Sequence, residues 1–166
     1  ERLDWMCAKH SQVLSFILVV QFPDGYEGDF DNRLFSRFLA DFMRSLGRYD
    51  PAYVWCREEC PGAPGRFHHH LVVLLNGNLS QNAWGHAEDA RRFWLRTLGR
   101  SGSSRLVHLC EPASELGLQG GFKIVRGSSS CRTTFDEAFQ HASYIAKTAS
   151  KTRACGVRSF GCSELP

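Results

Sequence analysis

AYVWCRE at Ala52–Glu58, CPGAPG at Cys60–Gly65 and FHHHLVVLL at Phe67–Leu75 stand in succession along the chain. The outer two are rich in β-branched and aromatic residues, and the middle one is turn chemistry, so the three predict an antiparallel hairpin. Side chains alternate along a strand, which puts His68 and His70 on one face and His69, with Phe67 and Leu71, on the other. Upstream, Val13–Gln21 (VLSFILVVQ) predicts a strand stopped by Pro23-Asp24-Gly25. Asp31 is placed to cap a helix in which Leu34, Phe35, Phe38, Leu39, Phe42, Met43 and Leu46 recur at helical spacing, with Gly47 just past its end.

Downstream, Ser80–Leu98 contains a second helical segment, best defined over Ala87–Leu98, and Gly99–Ser104 is a polar break. Arg105–Cys110 (RLVHLC) and Phe122–Arg126 predict further strands, and Asp136–Thr148 has helical spacing. The tail after Lys151 shows little periodicity. Strand, helix, strand, strand, helix, strand and a late helix is the order of an α+β, ferredoxin-like or RRM-like sandwich, an antiparallel sheet carrying helices on one face.

The 166 residues predict a single domain, 1–166, and the 43% apolar content against 22% charged excludes a disordered chain. The apolar stretch Phe16–Val20 is far short of the about 20 residues that cross a bilayer, and no signal-peptide pattern opens the sequence. The seven cysteines are scattered and odd in number, unlike a disulfide framework. A soluble cytoplasmic protein with reduced thiols and no membrane partner is the expectation. Glu1 rather than Met begins the sequence, as expected for a piece of a longer chain. The net charge of +3 permits a polyanionic partner without establishing one.

Two imidazoles at i and i+2 on a strand can clamp one divalent ion, or can simply be hydrogen-bonded at the start of a sheet strand. Hairpin pairing brings Glu58 close to His68, whereas Glu59 projects to the opposite face or sits in the loop. Two imidazoles and a carboxylate with open positions suit Mg²⁺ or Mn²⁺ recruited together with phosphate oxygens. Cys56-x₃-Cys60 lacks the partners of a zinc finger, and Gly120-Gly121 and Gly127–Ser130 lack the pattern of a nucleotide-phosphate loop. On the late helix Phe135, Ala138, Phe139, Ala142, Ile145 and Ala146 fall on one side, and Gln140, Tyr144, Lys147 and Lys151 on the other. Tyr144 is then either a nucleophile toward a phosphodiester, its phenolate favoured by nearby ammonium groups, or an interfacial ring packed on lysine stems.

His68-His69-His70 before an apolar strand, with Tyr144 and Lys147 on a later helix, resembles the HUH single-strand DNA endonucleases. Tyr53–Glu58, His68–Asn76, Ser143-Tyr144-Ile145-Ala146-Lys147 and Phe160-Gly161-Cys162-Ser163 are more narrowly similar to the inovirus replication-initiator (gene product two) family. The resemblance implies an RRM-like fold with a divalent metal, Mg²⁺ or Mn²⁺, held by His68, His70 and Glu58. The middle position of the motif, apolar in the superfamily, is His69 here. Tyr144 matches the nucleophile and Lys147 its assistant at the phosphate. The implied activity is nicking and rejoining of single-stranded DNA at an origin through a 5′-phosphotyrosine bond, for rolling-circle replication in the cytoplasm of a bacterial host. Arg66, Lys123, Arg126, Lys151, Arg153 and Arg158 are the candidate contacts to the strand. A non-catalytic nucleic-acid-binding domain of the same fold and a hydrolase that activates water are the rival readings.

Overall fold

A computed structural model describes residues 1–26, 31–60, 65–101, 105–111, 117–118, 120–143, 145 and 156–164. The elements are α1 (Arg2–Lys9), β1 (Gln12–Gln21), α2 (Arg33–Ser45), β2 (Ala52–Glu59), β3 (Phe67–Asn76), α3 (Ala83–Thr97), β4 (Val107–Cys110), β5 (Gly117–Leu118), β6 (Gly121–Val125), α4 (Cys131–Ser143) and β7 (Phe160–Cys162). The architecture is α+β with an antiparallel sheet, as the element order predicts. Its strands run β5-β6-β1-β3-β2-β7, and β4 also pairs with β1.

Strand β1 is the spine. One edge pairs with β3 over the whole strand; the other is divided, Gln12–Phe16 pairing with β6 and Ile17–Val20 with β4. The histidine-bearing β3 therefore lies between β1 and β2, inside the sheet.

The sheet separates two apolar clusters. On one face Phe16, Leu18, Leu71 and Val73 meet Phe35, Phe38 and Phe42 of α2 and Ala87, Ala90 and Trp94 of α3. Aromatic rings dominate this side: Phe38 stacks on Phe42 and meets Trp94 edge-on. Trp94 satisfies its indole N–H by donating to the carbonyl of Gln21 at 2.8 Å. On the other face Leu3 and Met6 of α1 and Ala138 of α4 pack on Val13, Ile17, Val72, Leu74 and Ile124, with Ile145 in the same cluster. The expectation of helices on one face thus describes α2 and α3, while α1 and α4 lie on the other.

Local chemistry explains the remaining differences. The N-cap of α2 is Asn32, in a left-handed conformation (φ 61°), and not the expected Asp31, which stands one residue earlier and accepts from the Arg33 N–H at 3.1 Å. α3 begins at Ala83 because Asn82 accepts from the Gly85 N–H at 2.8 Å. α4 begins at Cys131, ahead of the predicted Asp136, and the expected end at Thr148 lies outside the described residues. β7, in the tail that lacks periodicity, is held by pairing with β2; a Cβ on Gly161 would stand 2.5 Å from the Trp55 indole nitrogen, so only glycine fits there. Among the described residues no helix is long and apolar enough to cross a membrane.

Phe38 has no exposed surface and touches both helices of its layer through aromatic contacts. Phe38→Ala is expected to cost about 3–5 kcal/mol of stability, read as a lowered urea midpoint with unchanged slope.

Candidate metal centre

The site follows from the register of one hairpin. β2 and β3 pair so that Glu58 stands opposite His68, as the sequence predicts, and Cys56 stands opposite His70. Directly opposed residues share a face, so both imidazoles and the carboxylate project to the α1/α4 side. His68 Nε2 lies 3.0 Å from His70 Nε2, and Glu58 Oε2 lies 3.8 and 3.4 Å from those two nitrogens. Their ligating atoms all fall within 4.8 Å of one another, a group that could hold one metal ion. Glu59 pairs with Phe67 and accepts from the Gly65 N–H at 2.6 Å in the hairpin loop, which leaves Glu58 as the carboxylate of the cluster.

Two neighbouring thiols support this group. Cys60 Sγ lies 3.4 Å from His68 Nδ1, and Cys56 Sγ lies 3.8 Å from Glu58 Oε1. Burial holds the Cys60 thiol above its ordinary pKa, so it stays protonated and its sulfur is a weak acceptor. With His68 Nδ1–H donating to that sulfur, the Nε2 lone pair faces His70 and Glu58. Burial also lowers the pKa of both imidazoles, with the neighbouring His70 adding to the effect at His68 and Glu58 opposing it at both rings. Neutral rings are what a metal needs; without one, the two Nε2 atoms at 3.0 Å share a hydrogen bond in which one ring donates its N–H to the other.

His69 is a core residue. It has no exposed surface, its ring stacks on Phe35 at 3.8 Å between centroids, and its Nε2 donates to Asn32 Oδ1 at 3.2 Å. Asn32 in turn donates through Nδ2 to the Arg158 carbonyl at 2.6 Å. The middle histidine therefore ties β3 to the start of α2 and to the segment before β7. It takes the place of an apolar side chain with its Nε2 satisfied by Asn32 and its Nδ1 buried without a hydrogen-bond partner.

The other predicted site residues divide by position. Tyr144, Lys147, Lys151 and Arg153 lie outside the described residues. Ile145, next to Tyr144, is buried in the cluster that contains Cys56, on the face of the candidate ligands. Arg66 sits at the hairpin mouth, ion-paired with Asp24. Arg158 is exposed two residues before Phe160, which pairs with Cys56, so it lies at the same end of the sheet as Glu58. Lys123 pairs with Leu14 and so falls on the α2/α3 side, away from the cluster. Arg126 follows β6 at the Gln12 end of β1, whereas His68 pairs at the Gln21 end, roughly 30 Å along the strand. Cys60 supports His68 although Cys56-x₃-Cys60 makes no zinc finger, and only the strand register, not local sequence, brings His108 and Phe160 to this face.

Because His69 titrates well below 6.5 when folded, the unfolded chain binds its proton first as pH falls. Its contribution to stability is full above pH 6.5 and declines below it, by at most about 1.4 kcal/mol per pH unit. Urea melts at pH 7.5 and pH 5 should show this loss, and His69→Leu should reduce it.

No curated protein matches the chain. The family model for the YagK/YfjJ C-terminal domain matches residues 6–163, a span that runs from α1 through β7 and takes in Glu58, His68 and His70. The chain therefore belongs to the YagK/YfjJ C-terminal domain family.

Proposed function

We propose that the chain is a replication-initiator type endonuclease that nicks and rejoins single-stranded DNA through Tyr144. The observation that carries this reading is the convergence of Glu58, His68 and His70 on one face of an inner strand, the face on which Ile145 is also buried. The donor set fits a hard divalent cation. Bonds of about 2.1 Å at right angles separate two ligands by about 3.0 Å, the spacing of the two imidazole nitrogens. Mg²⁺ or Mn²⁺ is the cofactor, and when bound it supplies Lewis-acid polarisation of the scissile phosphate.

The chain's own residues do the rest. His68 and His70 enter the site neutral because they are buried, so no proton has to leave them. Lys147, one helical turn from Tyr144 in the sequence, favours the phenolate, whose ordinary pKa is about 10, and neutralises charge on the phosphoryl oxygens. The Tyr144 oxygen attacks phosphorus in line, the bond from phosphorus to the 3′ oxygen breaks, and that oxygen takes up a proton as a 3′-hydroxyl. The 5′-phosphate stays on Tyr144. Reversal, with the hydroxyl attacking the phosphotyrosine, rejoins strands and returns the phenol. A free 3′-hydroxyl is what priming rolling-circle synthesis requires. The reading places the protein in the cytoplasm of a bacterial host, with single-stranded DNA as partner.

Incubation of a 3′-labelled, randomised single-stranded library with Mn²⁺ should give a labelled band at protein mass on a denaturing gel. Tyr144→Phe should abolish it, and Lys147→Ala should slow it by about a hundredfold. Cleavage that survives Tyr144→Phe without an adduct indicates activated water instead; binding without cleavage indicates a non-catalytic domain. Glu58→Gln and His70→Ala should each weaken Mn²⁺ binding by about 10- to 100-fold or more, measured by the electron paramagnetic resonance of the free ion.

A further inference from the structure

The strand register places side chains of five strands in one row across the face that holds the cluster. Phe160 of β7 stands opposite Cys56 of β2, Cys56 opposite His70 of β3, His70 opposite Val19 of β1, and Val19 opposite His108 of β4. Directly opposed residues share a face, so all five project to the same side. Exposure along the row is least in the middle and greatest at its ends: Cys56 is fully buried, His70 and Val19 are half-buried, and Phe160 and His108 are exposed. Four interstrand steps make it about 19 Å long, the span of a few nucleotides of extended strand. The adjoining row holds Gln21, His68 and Glu58, with Arg158 at the Phe160 end.

An exposed phenylalanine is costly at a sheet edge unless something covers it. Phe160 is 51% exposed, and in the adjoining row it is flanked by a guanidinium on the side of a candidate cation site. A flat apolar ring beside positive charge fits a ligand that carries both planar apolar faces and negative charge. Unpaired nucleotides have both, whereas a duplex hides the faces of its bases.

We propose that a single nucleic-acid strand crosses the sheet along this row, perpendicular to the β-strands, with a base stacked on Phe160. This rests on the endonuclease reading and adds the path of the substrate. The scissile phosphate lies over His70, at the middle of the row, beside Glu58 of the adjoining row. Phe160 holds a base on one side of it, Arg158 meets the phosphate next to that base, and His108 contacts the strand on the other side. Phe160 acts as a platform for binding and contributes no group to the chemistry.

The test is fluorescence anisotropy with a labelled oligothymidylate of about 20 nucleotides, in Mn²⁺ on a Tyr144→Phe background so that no adduct forms. Phe160→Ala and Phe160→Leu should each weaken binding about tenfold or more, and Phe160→Trp should restore it. Rescue by tryptophan but not by leucine separates stacking from mere apolar burial. Phe139→Ala removes a comparably exposed ring, 54% exposed on α4, and should leave binding unchanged. A 5-iodouracil version of the oligonucleotide should crosslink to Phe160 on irradiation. If wild-type protein binds and crosslinks elsewhere, and Phe160→Ala binds as tightly as the parent, the proposed path is wrong while the endonuclease reading stands. If wild-type protein does not bind the oligonucleotide at all, both fail together.

Discussion

The antiparallel pairing of β2 with β3 carries the site. Its register sets Glu58 against His68, and because strand side chains have a period of two, a slip by one residue would send the carboxylate to the α2/α3 side and leave the imidazoles without it. The same slip would put Trp55 on the α1/α4 side and Cys56 into the aromatic cluster, so packing on both faces enforces the register that the metal group needs. Precision at the site is thus inherited from burial elsewhere in the sheet. The functional face needs little apolar surface of its own because the strand is held from the other side.

His69 makes that inheritance concrete. A buried polar ring would ordinarily cost stability, but here the ring stacks on Phe35 and its N–H finds Asn32, itself bonded to the Arg158 carbonyl. Asn32 accepts a left-handed backbone at the start of α2, a conformation asparagine tolerates better than most residues. One side chain on the far face therefore couples β3, α2 and the approach to β7. Arg158 and Phe160, both on that approach, are positioned by a bond that begins at the residue between the two candidate ligands. This bond gives the middle histidine a structural role distinct from ligation.

Much of this was legible in the sequence because the relevant periods are short. Alternation in FHHHLVVLL separates His69 from its neighbours, and the loop residues of CPGAPG place Glu58 against His68. The phenylalanines of α2 announce their helix through helical spacing. What stayed hidden depends on distant partners. RLDWMCAK buries only Leu3 and Met6, too few apolar positions to mark α1 by pattern. Gly85 weakens the helical reading of the first turn of α3, and only the Asn82 cap reveals where that helix begins. Phe160–Cys162 is a strand because β2 offers a free edge and Gly161 clears the Trp55 indole, neither of which shows in three residues of sequence. His108 lies in a strand whose place is set by pairing with the Ile17–Val20 half of β1, a register that RLVHLC does not carry in itself.

The divided edge of β1 then governs how helical cover is shared out along the face of the candidate ligands. β6 takes the Gln12–Phe16 half, and α4 packs against β6, so the helical cover on this side is drawn toward that half of the sheet. α1 adds Leu3 and Met6 to the cluster containing Val13, Val72 and Leu74, again toward the half remote from His68. The other half of β1 is given to β4, a four-residue strand that extends the sheet sideways and places exposed His108 level with His70. The opposite face is filled by α2 and α3 from a dense aromatic layer, which gives the sheet its cohesion on the side away from the candidate ligands, while α1 and α4 concentrate their packing toward the Gln12 half of β1.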